Sequence, residues 1–386
     1  MHSTCSLLKR NVNIHCSLLL VIFCSAYLTQ LTSFSPFYFA YAFALLCGIL
    51  SFLQNRHFHM YRMISVLFIL LFFAEINSFI GYMINPHSDE SYYMFLDLMF
   101  NQFLTVFLLL LLSNSKNILF VQKSVDAYYY VAVVFGFADF IYRVIHRGYG
   151  ASGWKFFYNY KFNSIMFLDS NWTGFIYMIA FAFFIYLRSC NIFSISKRKC
   201  SILLLLVLLS FSRAALFCCF IVLFFDFYMR RQKSERLLIL SIAGILFPVL
   251  FYCVFLFFLQ DGSFRTKLEL LNGILYYIQH IDIIHLLFGN GIGSASNNLP
   301  LLGNINLGGH LYIVVKLITF GLVGFLLDIF FFLACIRFTN KKIFYLLLPF
   351  FICGLSMCPT NLSFMYVFIG LMIYIEQNCK KRCLYE

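Results

Sequence analysis

Charge is what this sequence has least of. Only 11% of its 386 residues are Asp, Glu, Lys or Arg, against about 25% in soluble globular domains. No polar stretch is long enough to fold alone, which leaves one membrane-embedded domain over residues 1–386. A Walker phosphate loop and an Asp-x-Asp pair are both missing. That excludes ATP-driven chemistry and any glycosyl transfer that holds a metal between carboxylates. No internal repeat or low-complexity segment stands out. No basic tract is interleaved with a stacking platform, so the net charge of +13 does not point to nucleic acid.

What is abundant is apolar. Hydrophobic residues make up 62% of the chain, well above the roughly 45–50% of soluble proteins, and they recur in runs of about 20. The expected fold class is therefore all-α: a polytopic integral membrane protein. The 14 cysteines lie mostly inside apolar runs (Cys47, Cys218, Cys253) or beside basic segments (Cys190, Cys200, Cys379, Cys383). The two longest polar loops hold none, which argues against a disulfide framework.

Lys and Arg collect in clusters: Lys9/Arg10, Arg56/Arg62, Lys116/Lys123, Arg188 with Lys197–Lys199, Arg230/Arg231/Lys233/Arg236, Arg337/Lys341/Lys342 and Lys380–Arg382. If all face the cytoplasm, the segments between them cross in pairs. Helices are then expected at about 14–33, 35–53, 63–84, 92–112, 125–142, 170–187, 237–259, 310–336, 343–357 and 362–376. The stretch SILLLLVLLSFSRAALFCCFIVLFFDFYM, 201–229, must leave and return within 29 residues, where two full spans need about 40. It reads as a short hairpin turning near Ser-Phe-Ser-Arg, below the outer surface. Counting that hairpin as two gives about twelve helices, both termini inside, and two large outer loops at about 143–169 and 260–309.

Arg213 sits at the hairpin turn. A fixed charge at bilayer depth is expected to face a polar cavity open to the outside, or else to snorkel to the headgroups. In the first outer loop Asp139, Arg143 and Arg147 recur at i, i+4 and i+8, lining one helix face. Arg143, Arg147, Lys155 and Lys161 make this loop basic where positive charge is normally sparse, which suggests an anionic ligand. Its aromatics (Trp154, Phe156, Phe157, Tyr158, Tyr160) suit an interfacial belt or stacking on sugar rings. The second loop opens with Arg265 and Lys267. Its LELLNGILYYIQHIDIIHLLFG suits an amphipathic interfacial helix, and its GNGIGSASNN could bring backbone N–H groups to a ligand. His310, at a helix start, is either a cap or a general base suited to neutral pH. Lys316 falls off the face of His310, and Glu75, Asn77, Asp97 and Asp328 read as hydrogen-bonding groups inside the bundle.

Taken in order, these elements resemble the bacterial O-antigen polymerase and O-antigen ligase superfamily. They are Ser212-Arg213 in a short hairpin, Arg265, the Gly289–Gly293 turn with Gly291 and Gly293, His310, and ITFGLVGF at 318–325. Upstream, DSNWTGF looks like the family's Asn-x-x-Gly at a helix start, on Asn171. The sequence departs from the pattern at Leu311, where the family often has Asn, and at Ser170, where Pro is usual. The resemblance implies a C-type-like, metal-independent glycosyltransferase of the bacterial inner membrane with its active site facing the periplasm. Its donor would be an undecaprenyl-diphosphate-linked oligosaccharide, with no cofactor and no metal. His310, Arg213 and Arg265 would be catalytic, while Arg143, Arg147, Asn171, Gly291 and Gly293 would contact substrate. A chain-length regulator and a flippase are the implied partners besides the bilayer. A ligase acting on lipid A-core, or a flippase, remain the alternatives.

Overall fold

The computed structural model describes residues 62–84, 102–110, 118–146, 170–191, 193–258, 274–291, 311–355 and 363–383, with the scattered positions 20, 24, 46, 112, 164, 165, 271 and 272. Among these the secondary structure is entirely helical. The longer helices are α1 (Arg62–Ile84), α2 (Ile118–Ile145), α3 (Ser170–Ser189), α4 (Lys197–Leu209), α5 (Arg213–Met229), α6 (Lys233–Phe258), α7 (Ile283–Phe288), α8 (Tyr312–Phe338), α9 (Phe344–Cys353) and α10 (Ser363–Cys383). Among the described residues four stretches, Arg62–Ile84, Val121–Ile145, Asn171–Ser189 and Tyr312–Phe338, are by length and composition long and apolar enough to cross a membrane. This is a helical membrane protein.

Helix α3 is its axis. Every residue from Phe175 to Leu187 is buried, which suits a helix that is apolar on all sides. Around it pack α4, α5, α9 and α10. Helix α1 is built the other way round, with a narrow buried stripe (Ile64, Leu67, Leu71, Glu75, Ser78, Gly81) and exposed Phe68, Phe72, Phe73, Phe79 and Met83. An exposed face of phenylalanines is stable only against lipid or another apolar partner.

Polar contacts pin one end of the bundle. Lys199 Nζ lies 2.6 Å from Asp126 Oδ1, and Lys342 Nζ lies 3.0 Å from Glu376 Oε1. The Tyr345 hydroxyl is 2.9 Å from both Ser189 Oγ and Asp226 Oδ1. Basic residues of several clusters thus gather where α3 and α5 end and where α4 and α10's polar tail lie.

The structure departs from the expected spans in two places. The segment at 343–357 forms only the 10-residue α9, about 15 Å long and too short to cross. The second departure is α8, which is not a straight rod. Tyr312 and Asp328 are about 24 Å apart along a regular helix, yet the Tyr312 hydroxyl donates to Asp328 Oδ2. Likewise Ile313 lines one cavity together with Phe332 and Leu333. The cause is Gly321, whose φ of 63° and ψ of −171° leave the helical region. Helix α8 therefore folds back on itself at Gly321, an arm of residues 312–320 lying along an arm of residues 322–338.

The segment expected as the first outer loop also begins later than expected. Helix α2 continues through Arg143 to Ile145. The second loop holds helical turns at 274–280 and the separate α7, divided at Ile281–Asp282, rather than one continuous amphipathic helix. The expected helices at 14–33 and 35–53, and most of 92–112, lie outside the described residues apart from single positions and 102–110.

Candidate functional site

The α4–α5 hairpin turns where the short apolar run requires it. Helix α4 has 13 residues and α5 has 17, about 20 and 26 Å, so neither spans a hydrocarbon layer of about 30 Å alone. The turn is Ser210–Phe211–Ser212, with Phe211 in the left-handed region at φ 55°. Both serines are fully buried and satisfied locally. Ser210 Oγ donates to Val207 O at 2.7 Å, and Ser212 Oγ caps α5 by accepting from Ala215 N at 3.4 Å. Arg213 is the first residue of α5 and is exposed. It adds its charge to the positive end of the helix dipole, a combination that favours an anion.

Two other expected substrate residues meet this turn. Ser212 Oγ donates to Asn171 Oδ1 at 3.1 Å, in the first turn of α3. A Cβ on Gly174 would stand 2.6 Å from Ser210 Oγ and from Ser212 Cβ, so α3 and the turn meet at a distance only glycine allows. Arg143 reaches the turn from α2, donating from Nη2 to Leu209 O at 3.1 Å. Its guanidinium is also in a buried ion pair, with Nε 2.8 Å from Asp139 Oδ2 and side chains 2% and 0% exposed. Asp139 Oδ1 accepts from Ser164 Oγ at 2.7 Å and Ile165 N at 2.9 Å. Arg143 was expected to offer its charge to a diphosphate. In the structure that charge is balanced internally, and the side chain ties α2, the 164–165 segment and the hairpin together.

The α5–α9 contact shows what lies at the same end as Arg213. Phe225 packs on Phe344 and Tyr345, while Cys218 Sγ donates to Pro349 O at 3.4 Å. The two helices run antiparallel, so the start of α5 lies towards the end of α9. There Gly354 O accepts from Tyr312 N at 2.7 Å. Tyr312 begins α8, and Leu311 before it has a left-handed φ of 60°. A strained non-glycine residue thus lies next to each of two expected catalytic positions, two residues before Arg213 and one after His310. Such outliers cost about 1–3 kcal/mol and cluster at working sites. His310, Arg265, Arg147 and Gly293 themselves lie outside the described residues.

Gly291 belongs to a second constellation, around the α8 bend. The bend frees the carbonyls of 318, 319 and 320, and each finds a donor. Asn290 N donates to Ile318 O at 2.8 Å, Gly291 N to Thr319 O at 3.2 Å, and Asn77 Nδ2 to Phe320 O at 2.8 Å. Gly289 and Gly291 adopt φ of 83° and 82° to make this approach. The N–H of Gly291, expected to be offered to a ligand, is thereby used to cap α8. Tyr277, whose hydroxyl accepts from Asn290 Nδ2, anchors the turn from the other side. Burial pushes its phenol up to about 12, against a smaller lowering by Asn290.

Inside the bend lie charges that sequence reasoning treated as separate. Lys316, 3% exposed, points its ammonium at Asp328 Oδ2 across 3.5 Å and over the Phe320 ring at 4.6 Å. Gln102 Nε2 donates to Asp328 Oδ1 at 3.1 Å. Lys316 and Asp328 lie five residues before and seven after Gly321, and only the bend brings them together.

Scans against protein-family models and against curated protein sequences gave no match.

Proposed function

We propose that the protein is a polysaccharide polymerase. It would transfer a lipid-diphosphate-linked glycan onto a new lipid-linked repeat unit at the periplasmic face of a bacterial inner membrane. The observation that supports this best is the Ser210–Ser212 turn. A buried turn, fastened through Ser212 to Asn171, delivers an arginine at a helix N-terminus, towards the same end of the bundle as Tyr312, two residues after His310 in the chain. A cation so placed supports a metal-free transfer from a diphosphate.

In this reading the acceptor hydroxyl attacks the anomeric carbon of the donor, and the bond from that carbon to the diphosphate oxygen breaks. The lipid diphosphate leaves with the electron pair. Arg213 and Arg265 offset the negative charge that builds on it, and His310 takes the proton from the attacking hydroxyl. Each such contact is worth about 2.7–4 kcal/mol, a factor of 10²–10³ in rate. Arg213→Ala or His310→Ala, inserted at normal abundance, should therefore abolish the polysaccharide ladder on lipopolysaccharide gels and leave a single repeat unit on core. Polymer at normal yield would overturn the assignment. Loss of even the single unit would indicate a ligase instead.

A transporter is the second reading, favoured by one feature: a broken membrane helix with buried charge at its bend is common where substrates or ions cross. Translocation of lipid-linked oligosaccharide in liposomes without glycosidic bond formation would select it.

A further inference from the structure

The α1–α8 contact carries a charge count that does not close. Three ionisable side chains of opposite sign meet there. Lys316 and Asp328 are partners at 3.5 Å, and Glu75 lies on the buried stripe of α1, two residues before Asn77, whose amide reaches Phe320 O on the short arm of α8. Among the described residues, two carboxylates against one ammonium leave a net charge of −1.

The hydrogen bonds show which group is left over. Asp328 has a partner on each oxygen: Gln102 donates to its Oδ1, and Tyr312 and Lys316 address its Oδ2. Glu75 is only 9% exposed, and its Oε2 has no hydrogen-bond partner among the described residues. It lies about 20 Å along α1 from Arg62, in the interior of a membrane-crossing stretch. An uncompensated buried charge is among the most destabilising features a fold can carry, and ionisable groups at such depth mark ion or proton pathways by default. An anionic ligand would worsen the imbalance and a neutral one would leave it unchanged. Only a unit positive charge closes it.

We propose that Glu75 is a binding site for one exchangeable monovalent positive charge, a proton or a sodium ion, held beside the Lys316–Asp328 pair. Among the described residues, the surrounding titratable groups leave this role to Glu75. Helix α8 contributes Lys316, Asp328 and the Tyr312 phenol. Helix α7, also packed on α1, contributes Asp282 and His285, which pair with each other at its exposed edge. Residues 102–110 bring Gln102, without charge, and α10 brings Tyr366, within 3.4 Å of Gln102. Lys316 stands on the short arm of α8 and Asp328 on the long one. Occupancy at Glu75 is therefore tied to closure of the hairpin, since any movement of the short arm disturbs the α1–α8 contact in which Glu75 is buried. None of this requires that the protein transfer glycan, and the two readings fail separately.

The test uses the full-length protein in lipid nanodiscs. Infrared difference spectra across a pH titration report a protonated carboxyl stretch, and thermal unfolding is compared in sodium and choline chloride. A carboxyl band present in the wild type, lost in Glu75→Gln and indifferent to sodium, identifies a proton. A band displaced by sodium, or a sodium-specific rise in melting temperature that Glu75→Gln abolishes, identifies the metal ion. Absence of both signals in the wild type overturns the proposal without any variant, as does a band that survives undiminished in Glu75→Gln.

Discussion

The Arg143–Asp139 pair offers the sharpest test of how the site end is held together. Replace Arg143 with Met, which keeps the length of the side chain and removes its charge. Asp139, fully buried, retains Ser164 Oγ at 2.7 Å and Ile165 N at 2.9 Å but loses the guanidinium 2.8 Å from its other oxygen. Leaving one member of a buried pair uncompensated costs about 3–5 kcal/mol. The hairpin turn also loses the donor to Leu209 O, worth about 1 kcal/mol. Asp139→Leu alone strands the arginine and should cost a similar amount. The double variant removes both charges, so its loss should fall well short of the sum of the single losses, because neighbours in one network are not additive. Equilibrium unfolding in mixed micelles, followed by tryptophan fluorescence or a trapped label, would supply the cycle. A cost below about 1 kcal/mol for Arg143→Met, or two single losses that simply add, would refute a structural pair. Normal stability combined with weakened binding of lipid diphosphate would return Arg143 to the substrate role expected from sequence.

Other expectations follow from the same geometry. Gly321→Ala should loosen the α8 hairpin, because its Cβ would stand 2.4 Å from Leu287 O at a φ of 63°. Gly244→Ala on α6, where nothing lies within 4 Å, should instead be neutral or stabilising by up to about 1 kcal/mol; equal effects in unfolding assays would contradict the bend. Ser212→Ala removes the α5 cap and the bond to Asn171, and should cost about 0.5–2 kcal/mol with slowed polymer formation through a displaced Arg213. For Asp282, the His285 backbone N–H and imidazole hold the carboxyl below its ordinary 3.8. Its cap on α7 is thus intact above that pH and lost as pH falls through the lowered value, so the protection of the Ile284 and His285 amides, relative to their intrinsic exchange rate at each pH, should fall only below 3.8. Protection already lost at neutral pH would show that the cap is not ionic.

The helical membrane class was written in composition alone, since runs of apolar residues that long have no stable state in water. The short hairpin was legible for a related reason: 29 residues between basic clusters cannot make two full crossings, and Ser-Phe-Ser-Arg is the polar interruption near the middle of the run. Asp139 and Arg143 were visible as a helical i, i+4 pair, but whether that face met solvent or protein was not. Burial depends on neighbours from distant parts of the chain, here Ser164 and Leu209, which no local pattern announces. The fold-back of α8 was likewise hidden. Its 27 residues have the length and hydropathy of an ordinary span, and a glycine in such a run is compatible with a straight helix. Only the Gly289–Gly291 turn and Asn77, arriving from elsewhere to take up the freed carbonyls, make the bend affordable and bring Lys316 to Asp328. Hydrophobicity is a property each residue carries with it, whereas compensation of charge and of broken hydrogen bonds exists only once the chain has folded.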